Sequence, residues 1–365
     1  MTTTKLNGVY FTEQQATISS GTQRLPIFIV QTSTAIASID NQILKYTNME
    51  AFEAVVEGKG LTNTVKYMNQ VLTENDGNLP FYVYSIKTDT NTAFTNIVKD
   101  LSAYPEITHI IYIEETKSSN DNSISDKISA IKAGLNYLRS HGHFKKAYIV
   151  PYGTIHDLIT NKTAGTRDET VILNNLPALS NSVDSGAIIV TVPCSYAGAI
   201  VGKCINTVFD DDAGRTDLKT VITGLDFKFT DDEKLDLVNA GLMFIDNEET
   251  RNGFVYRIYS AVTTSFAQSK ADGYLISRTI CDEVLNDVKL ECLDFIKAKE
   301  SETSITLLNT LISGIIDKYV EKDDIKEDAS YLNATEGETP YIIDIEGEIK
   351  PYGSTQIINV ATRIE

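Results

Sequence analysis

Residues 185–266 constrain this chain more than any other stretch, because their apolar runs, caps and glycines admit one order: strand, helix, acidic loop, helix, strand, turn, strand. Residues 187–192 are apolar, rich in β-branched side chains and stopped by Pro193, which predicts a buried strand. A helix is expected over residues 195–208. Its small residues Ala197, Gly198, Ala199 and Gly202 leave one face nearly bare, so another backbone can approach closely. Thr230 with Glu233 three residues on forms a capping box, Leu235, Val238 and Leu242 carry the helical period, and Gly241 supplies a left-handed C-cap. Residues 242–245 and 254–261 then read as two strands of a hairpin turning at Asn252-Gly253.

The chain before this stretch alternates strand and helix. Residues 26–30, 81–86, 107–113 and 147–150 read as strands, while Val65, Met68, Val71 and Leu72, and later Ile128, Ile131, Leu135 and Leu138, fall at helical spacing. The predicted class is α/β, α+β overall, with a mostly parallel sheet covered by helices. Residues 173–185 are polar, hold Pro177 and read as a boundary. Beyond residue 266 two long helices are expected. One carries Cys281, Leu285, Val288, Cys292 and Phe295 on an apolar stripe, so both cysteines should be buried, and the other carries Ile305, Leu308, Ile312, Ile315 and Tyr319. Residues 321–328 are a charge run, read as an exposed helix end or loop. Residues 341–345 and 356–364 alternate around Pro351-Tyr352-Gly353 as a hairpin-like end. The last strand, with Ile358, Val360 and Ile364 on one face, either pairs with residues 346–350 or inserts into a neighbouring molecule. Residues 1–20 are polar and Thr-rich around Val9, Tyr10 and Phe11, and read as an extended arm or a disordered tail.

Composition excludes several classes. No apolar run reaches the roughly 18 residues of a membrane span, and residues 1–8 lack a signal-peptide layout, so synthesis and retention in a cytoplasm are expected. A net charge of −18 repels phosphate, so nucleic acid is not an expected partner. Four cysteines without paired short spacings suit neither a disulfide framework nor zinc.

Each chemical motif has a plainer structural reading. Gly198-x-x-x-Gly202-Lys203 follows a strand as a phosphate loop does, but it has three residues between the glycines where four are needed, and Cys204 stands where Ser or Thr should. Asp210, Asp211, Asp212 and Asp217 lack the spaced ligands of a calcium loop and read as a solvated loop or ion pairs. His141-Gly142-His143 suits a helix C-cap better than a metal, and His156-Asp157 is a pair any Ser-rich chain supplies. No nucleophile elbow, zinc-protease or dinucleotide fingerprint occurs, so no catalytic residue, cofactor or metal ligand is assigned.

Val192-Pro193, Ala197-Gly198, Ile222-Thr223-Gly224-Leu225, the Leu-rich helix and Ala240-Gly241-Leu242, in this order and spacing, resemble the pattern of contractile tail sheath proteins of phages, tailocins and related injection systems. The likeness covers residue 185 to the end well and the first half loosely. It implies a structural, non-enzymatic subunit that polymerises as stacked rings around an inner tail tube, joins a baseplate, and contracts to drive the tube through a target envelope. The particle tail would be its location, with assembly in a bacterial or archaeal cytoplasm. The implied layout is an N-terminal arm (1–20), an outer α/β domain (21–184), an inner sheath domain (185–338) and C-terminal strands with an arm (339–365). Val9, Tyr10, Phe11, Ile358, Val360 and Ile364 would be exchanged between subunits, and Asp323, Asp324, Glu327 and Asp328 would face the tube. Two other readings stay open: a doubly wound α/β enzyme with a ligand at a strand C-terminal edge, and another self-assembling tail, baseplate or surface-layer subunit.

Overall fold

Leu25–Gln31 (β1) is buried along its whole length, which a strand achieves only when both faces of its sheet are covered. A computed structural model of the chain describes residues 25–32, 36, 38–77, 79–87, 91–115, 124–150, 171–174, 177–184, 187–194, 196–207, 212–214, 216–225, 229–251, 253–266, 273–293, 302–337 and 343–352. β1 lies inside a seven-stranded sheet with Leu44–Tyr46 (β2), Phe81–Ile86 (β3), Ile107–Glu114 (β4), Lys146–Val150 (β5), Val171–Asn174 (β6) and, much later in the chain, Leu242–Met243 (β9). The order is β2-β3-β1-β4-β5-β6-β9, and every pair is parallel except β2 with β3. Met49–Val56 (α1), Thr62–Glu74 (α2), Asn91–Asp100 (α3) and Ile124–Ser140 (α4) are the crossovers that parallel pairing requires. The predicted class and the mostly parallel sheet are therefore observed.

Pro177–Asp184 (β7) and Ala187–Cys194 (β8) form a separate antiparallel pair. Part of the stretch read as a boundary is thus strand. Two register shifts interrupt its pairing, which hides the alternation that a strand otherwise shows. β8 runs on through Pro193, which a two-stranded sheet tolerates because the missing N–H can face an edge.

Ala197–Asn206 (α5) packs on α2, as its small residues predict. A Cβ on Gly198 would collide with the Tyr67 carbonyl, and one on Gly202 would lie 2.8 Å from the Val71 Cα and the Glu74 Cβ. The glycines serve helix contact, which accounts for them without a phosphate. Asp231–Asn239 (α6) carries the expected capping box. Its exit corrects the hairpin reading. Gly241 turns the chain at φ +77°, where an added Cβ would stand 2.6 Å from the Thr263 carbonyl, and sends the fully buried Leu242 and Met243 beside Leu173 and Asn174. The hairpin begins later, as Ile245–Thr250 (β10) against Gly253–Ile258 (β11).

Leu275–Leu293 (α7) joins two hydrophobic clusters: Leu275 belongs to one around the large sheet, and Ile280, Val284, Val288 and Cys292 to a second. Glu302–Glu321 (α8) completes the second with Leu308, Ile312, Ile315 and Tyr319. The clusters divide within α7, whereas the domain division was expected at 184/185; the large sheet runs across that position through β9. Beyond Leu275, α7 also meets the first body through an ionic contact. Asp282 meets Arg139 of α4 at 2.9 Å, Arg278 of its own helix at 2.5 Å and Lys146 of β5 at 3.8 Å, with its side chain 7% exposed. Two turns further along the same face of the helix, Lys289 donates to the Gly142 carbonyl at 2.8 Å.

Both cysteines of α7 were expected to be buried, but only Cys292 is; Cys281 is half-buried. Burial pushes the Cys292 thiol up to about 12 and raises that of Cys204 as well. Among Cys204, Cys281 and Cys292, a thiol reagent acting on the native protein is expected to label Cys281 first, with the other two reacting only on unfolding. Equal native labelling rates for all three would contradict this burial.

Candidate functional site

The chemistry-bearing residues singled out in the sequence do structural work where they are described. His141 Nδ1 lies 2.7 Å from the Tyr137 carbonyl, and His143 N–H donates to the Leu138 carbonyl at 2.9 Å, with Gly142 at φ +73°, so the pair closes α4 as a cap. Burial, with Lys145 and Lys289 nearby, lowers the His143 imidazole to about 4. Asp212 Oδ1 accepts from the Gly214 N–H, and Asp217 pairs with Arg257 at 2.7 Å. Among the described residues no His, Cys, Asp and Glu group could hold a metal ion, and no helix is long and apolar enough to cross a membrane. Asp210, Asp211, His156 and Asp157 lie outside the described residues.

A doubly wound enzyme would hold its ligand at the strand C-terminal edge, near a helix N-terminus. Here Glu115, just after β4, fills that position. Its carboxylate accepts from the N–H groups of Asn63 and Thr64 at 3.0 and 2.7 Å and from the Thr64 hydroxyl at 2.6 Å, capping α2. An acid of the chain itself occupies the anion-binding end of this helix.

A feature open to a partner among the described residues is a sheet edge. Tyr331–Glu336 (β12) and Ile343–Glu348 (β13) form an antiparallel pair after α8. Residues 341–345 were expected to turn back with 356–364; the described partner is β12, a strand the sequence reading missed because its residues are mostly exposed and show no clean alternation. The outer edge of β12 is covered by α8. Asn309 donates to the Ala334 carbonyl at 2.9 Å and accepts from its N–H at 2.6 Å. Since Ala334 directs both backbone groups away from β13, Ala334 and Ile345 form a non-hydrogen-bonded pair. By the two-residue alternation, the backbone groups of Ile343, Ile345 and Gly347 point outward from β13. They have no strand partner among the described residues.

Beside this sheet, residues 350–352 run back along 324–326: Lys326 N–H donates to the Lys350 carbonyl, and Tyr352 N–H to the Asp324 carbonyl, both at 2.9 Å. The charge run turns just after α8, with Asp323 at φ +59°. Asp323, Glu327 and Asp328 are exposed, but Asp324 is buried, so its carboxylate does not share their surface. Val9, Tyr10, Phe11, Ile358, Val360 and Ile364 lie outside the described residues.

No protein-family model matches the sequence, and no curated protein matches it. Solved structures do match. The helical sheath of the anti-feeding prophage in its contracted state aligns over 99% of both chains, at a TM-score of 0.67 and 12% identity. This chain has the sheath fold. The contracted PVC sheath complex of an extracellular contractile injection system shares it over 100% of this chain and 98% of its own, at a TM-score of 0.66 and 15% identity. A sheath tail protein from Desulfitobacterium hafniense does so over 93% and 96%, at 0.55 and 9%. The sheath fold thus spans the whole chain, including the first half, where the sequence likeness is loose.

Proposed function

We propose that this chain is the structural subunit of a contractile tail sheath, polymerising as stacked rings around an inner tube and contracting to drive that tube through a target envelope. The observation that carries the reading is the likeness to sheath subunits along essentially the full length of both chains. The open β13 edge supports it, because a backbone edge accepts a strand from another molecule through hydrogen bonds that survive rotation of the subunits. In this reading residues 356–364 of a neighbour, with Ile358, Val360 and Ile364, join β13, and the arm with Val9, Tyr10 and Phe11 meets them. The body around the large sheet faces outward, and the α7–α8 cluster with both arms forms the inner layer. Asp323, Glu327 and Asp328 approach the tube, and the baseplate closes one end. The work is mechanical rather than catalytic. An extended lattice is metastable and gains contact area on contraction, so no bound nucleotide is required. The chain's place is the tail of a particle assembled in a host cytoplasm.

Concentrated purified protein is expected to form wide-lumened tubes in negative-stain images. A monodisperse monomer at every salt concentration would overturn the reading.

A further inference from the structure

The open edge of β13 carries a row of acids. Ile343 and Ile345 pack on the second cluster, so the alternating positions Asp344, Glu346 and Glu348 share the opposite face. Glu346 and Glu348 are exposed and Asp344 is half-buried. On β12 they stand opposite Asn333, Tyr331 and Thr335, none of which is charged. Lys350 pairs with Glu348 at 3.4 Å, whereas Asp344 and Glu346 have no basic partner among the described residues. Residues 353–365, which follow the last described residue, contain one base, Arg363, and one acid, Glu365. Alternation ties charge to burial in that segment. If Ile358, Val360 and Ile364 continue the face of Ile343 and Ile345, Arg363 falls on the face of the acids.

We infer that the acid row of β13 selects its partner strand by charge: residues 356–364 of a second copy pair with it antiparallel, in the one register that sets Arg363 opposite Asp344. The pairing rests on the reading of the chain as a sheath subunit and gives the exchanged strand its direction and register. Ile364, Thr362, Val360 and Ile358 then lie beside Ile343, Ile345, Gly347 and Ile349, and Glu365 passes beyond the end of the row. Other registers meet a penalty. Moving Arg363 to Glu346 sets Glu365 against Asp344, and moving it to Glu348 sets Glu365 against Glu346; like charges directly opposite destabilise a strand pair. A slip of one residue turns Arg363 towards the apolar cluster. In a parallel strand, Arg363 at Asp344 or Glu346 brings Glu365 to the next acid of the row, and Arg363 at Glu348 meets a carboxylate that Lys350 already holds. A second β13 is rejected as well. Two such edges run antiparallel set acid against acid wherever their rows overlap, which guards an open edge from pairing with its own kind.

The test is sedimentation of the full chain, with negative-stain images of the pellet and circular dichroism of every variant. Arg363→Asp and Asp344→Arg are each expected to lower the polymerised fraction on the order of five-fold, the upper range for a charge pair across strands, with an unchanged spectrum. Combining the two should restore assembly, whereas combining Arg363→Asp with Glu348→Arg should not. Direction is read by cross-linking. In the inferred register Glu348 and Asn359 form a non-hydrogen-bonded pair with Cα atoms about 4.5 Å apart, within disulfide reach. A chain with both Glu348→Cys and Asn359→Cys is expected to give a ladder of linked copies on a non-reducing gel, absent from either single variant. Asp344→Cys with Asn359→Cys should give none. If the native chain forms tubes and Arg363→Asp forms them equally, charge does not select the strand, and the sheath reading stands. A ladder through Asp344→Cys would mean a parallel strand, and a cross-link confined to single chains would mean that the segment pairs with its own β13; either overturns the inference. Failure of the combined Arg363→Asp and Asp344→Arg variant to restore tubes does so too. A native chain that forms no tubes at all removes the sheath reading and this register together.

Discussion

Removing residues 353–365 is expected to leave a folded, soluble subunit that no longer polymerises. The cut falls after Tyr352, whose N–H still reaches the Asp324 carbonyl, so the contact of residues 350–352 with 324–326 is retained. β12, β13 and the Asn309 clamp on Ala334 also stay whole. What disappears is the segment with Ile358, Val360 and Ile364, which in the proposed lattice satisfies the outward backbone groups of Ile343, Ile345 and Gly347 on another copy. Each subunit then presents an edge without a strand to fill it, and the connection between copies is lost rather than weakened. Sedimentation beside circular dichroism and urea unfolding reads both properties. An unfolded truncated chain would mean that the last strand belongs to its own core, and undiminished tube formation would mean that the arm is dispensable. Either result defeats strand exchange.

The elements legible in the sequence are those whose signal is local. β1, β3, β4 and β5 are covered on both faces, so each is an apolar run, and α6 carries its capping box within four residues. The small residues of α5 announced a close contact because no other property of the helix explains them. What sequence could not show depends on residues far apart. α2 starts after Leu61, which offers no side-chain cap; the capping carboxylate is Glu115, 51 residues beyond Thr64. β13 was visible as a strand, but its pairing with β12 was not, because Tyr331 at 53% exposure and the polar residues beside it resemble a loop. The receiving edge follows from Asn309, a half-buried polar residue among the apolar positions of α8, whose purpose appears only when Ala334 lies against it. The sequence does supply one pointer to such sites: a charged or amide residue inside an otherwise apolar helical pattern needs a partner, and Asp282 stands next to Cys281 in the stripe of α7.

Asp282→Ala is expected to destabilise the subunit by about 3–5 kcal/mol, the range for removing one member of a buried ionic group. The carboxylate stands between Arg139, Arg278 and Lys146, whose side chains are 23%, 13% and 12% exposed, so its loss leaves cations crowded together with little water. The cost exceeds that of the lost pairs, because the remaining charges repel and stay poorly solvated. Arg139→Met should cost less. Arg139 is the most exposed of the three, and Asp282 keeps Arg278 at 2.5 Å within its own helix. High salt should rescue little, since screening acts weakly on buried pairs. The position of Asp282 adds a second expectation. Through Arg139 and Lys146 it ties α7 to α4 and β5, so the variant should loosen the helical cluster from the large sheet and broaden urea unfolding towards two steps. Native unfolding should be the sharper transition. A change within about 0.5 kcal/mol, the range of ordinary surface substitutions, would show that the two clusters are held together by other contacts and that the ionic junction is incidental.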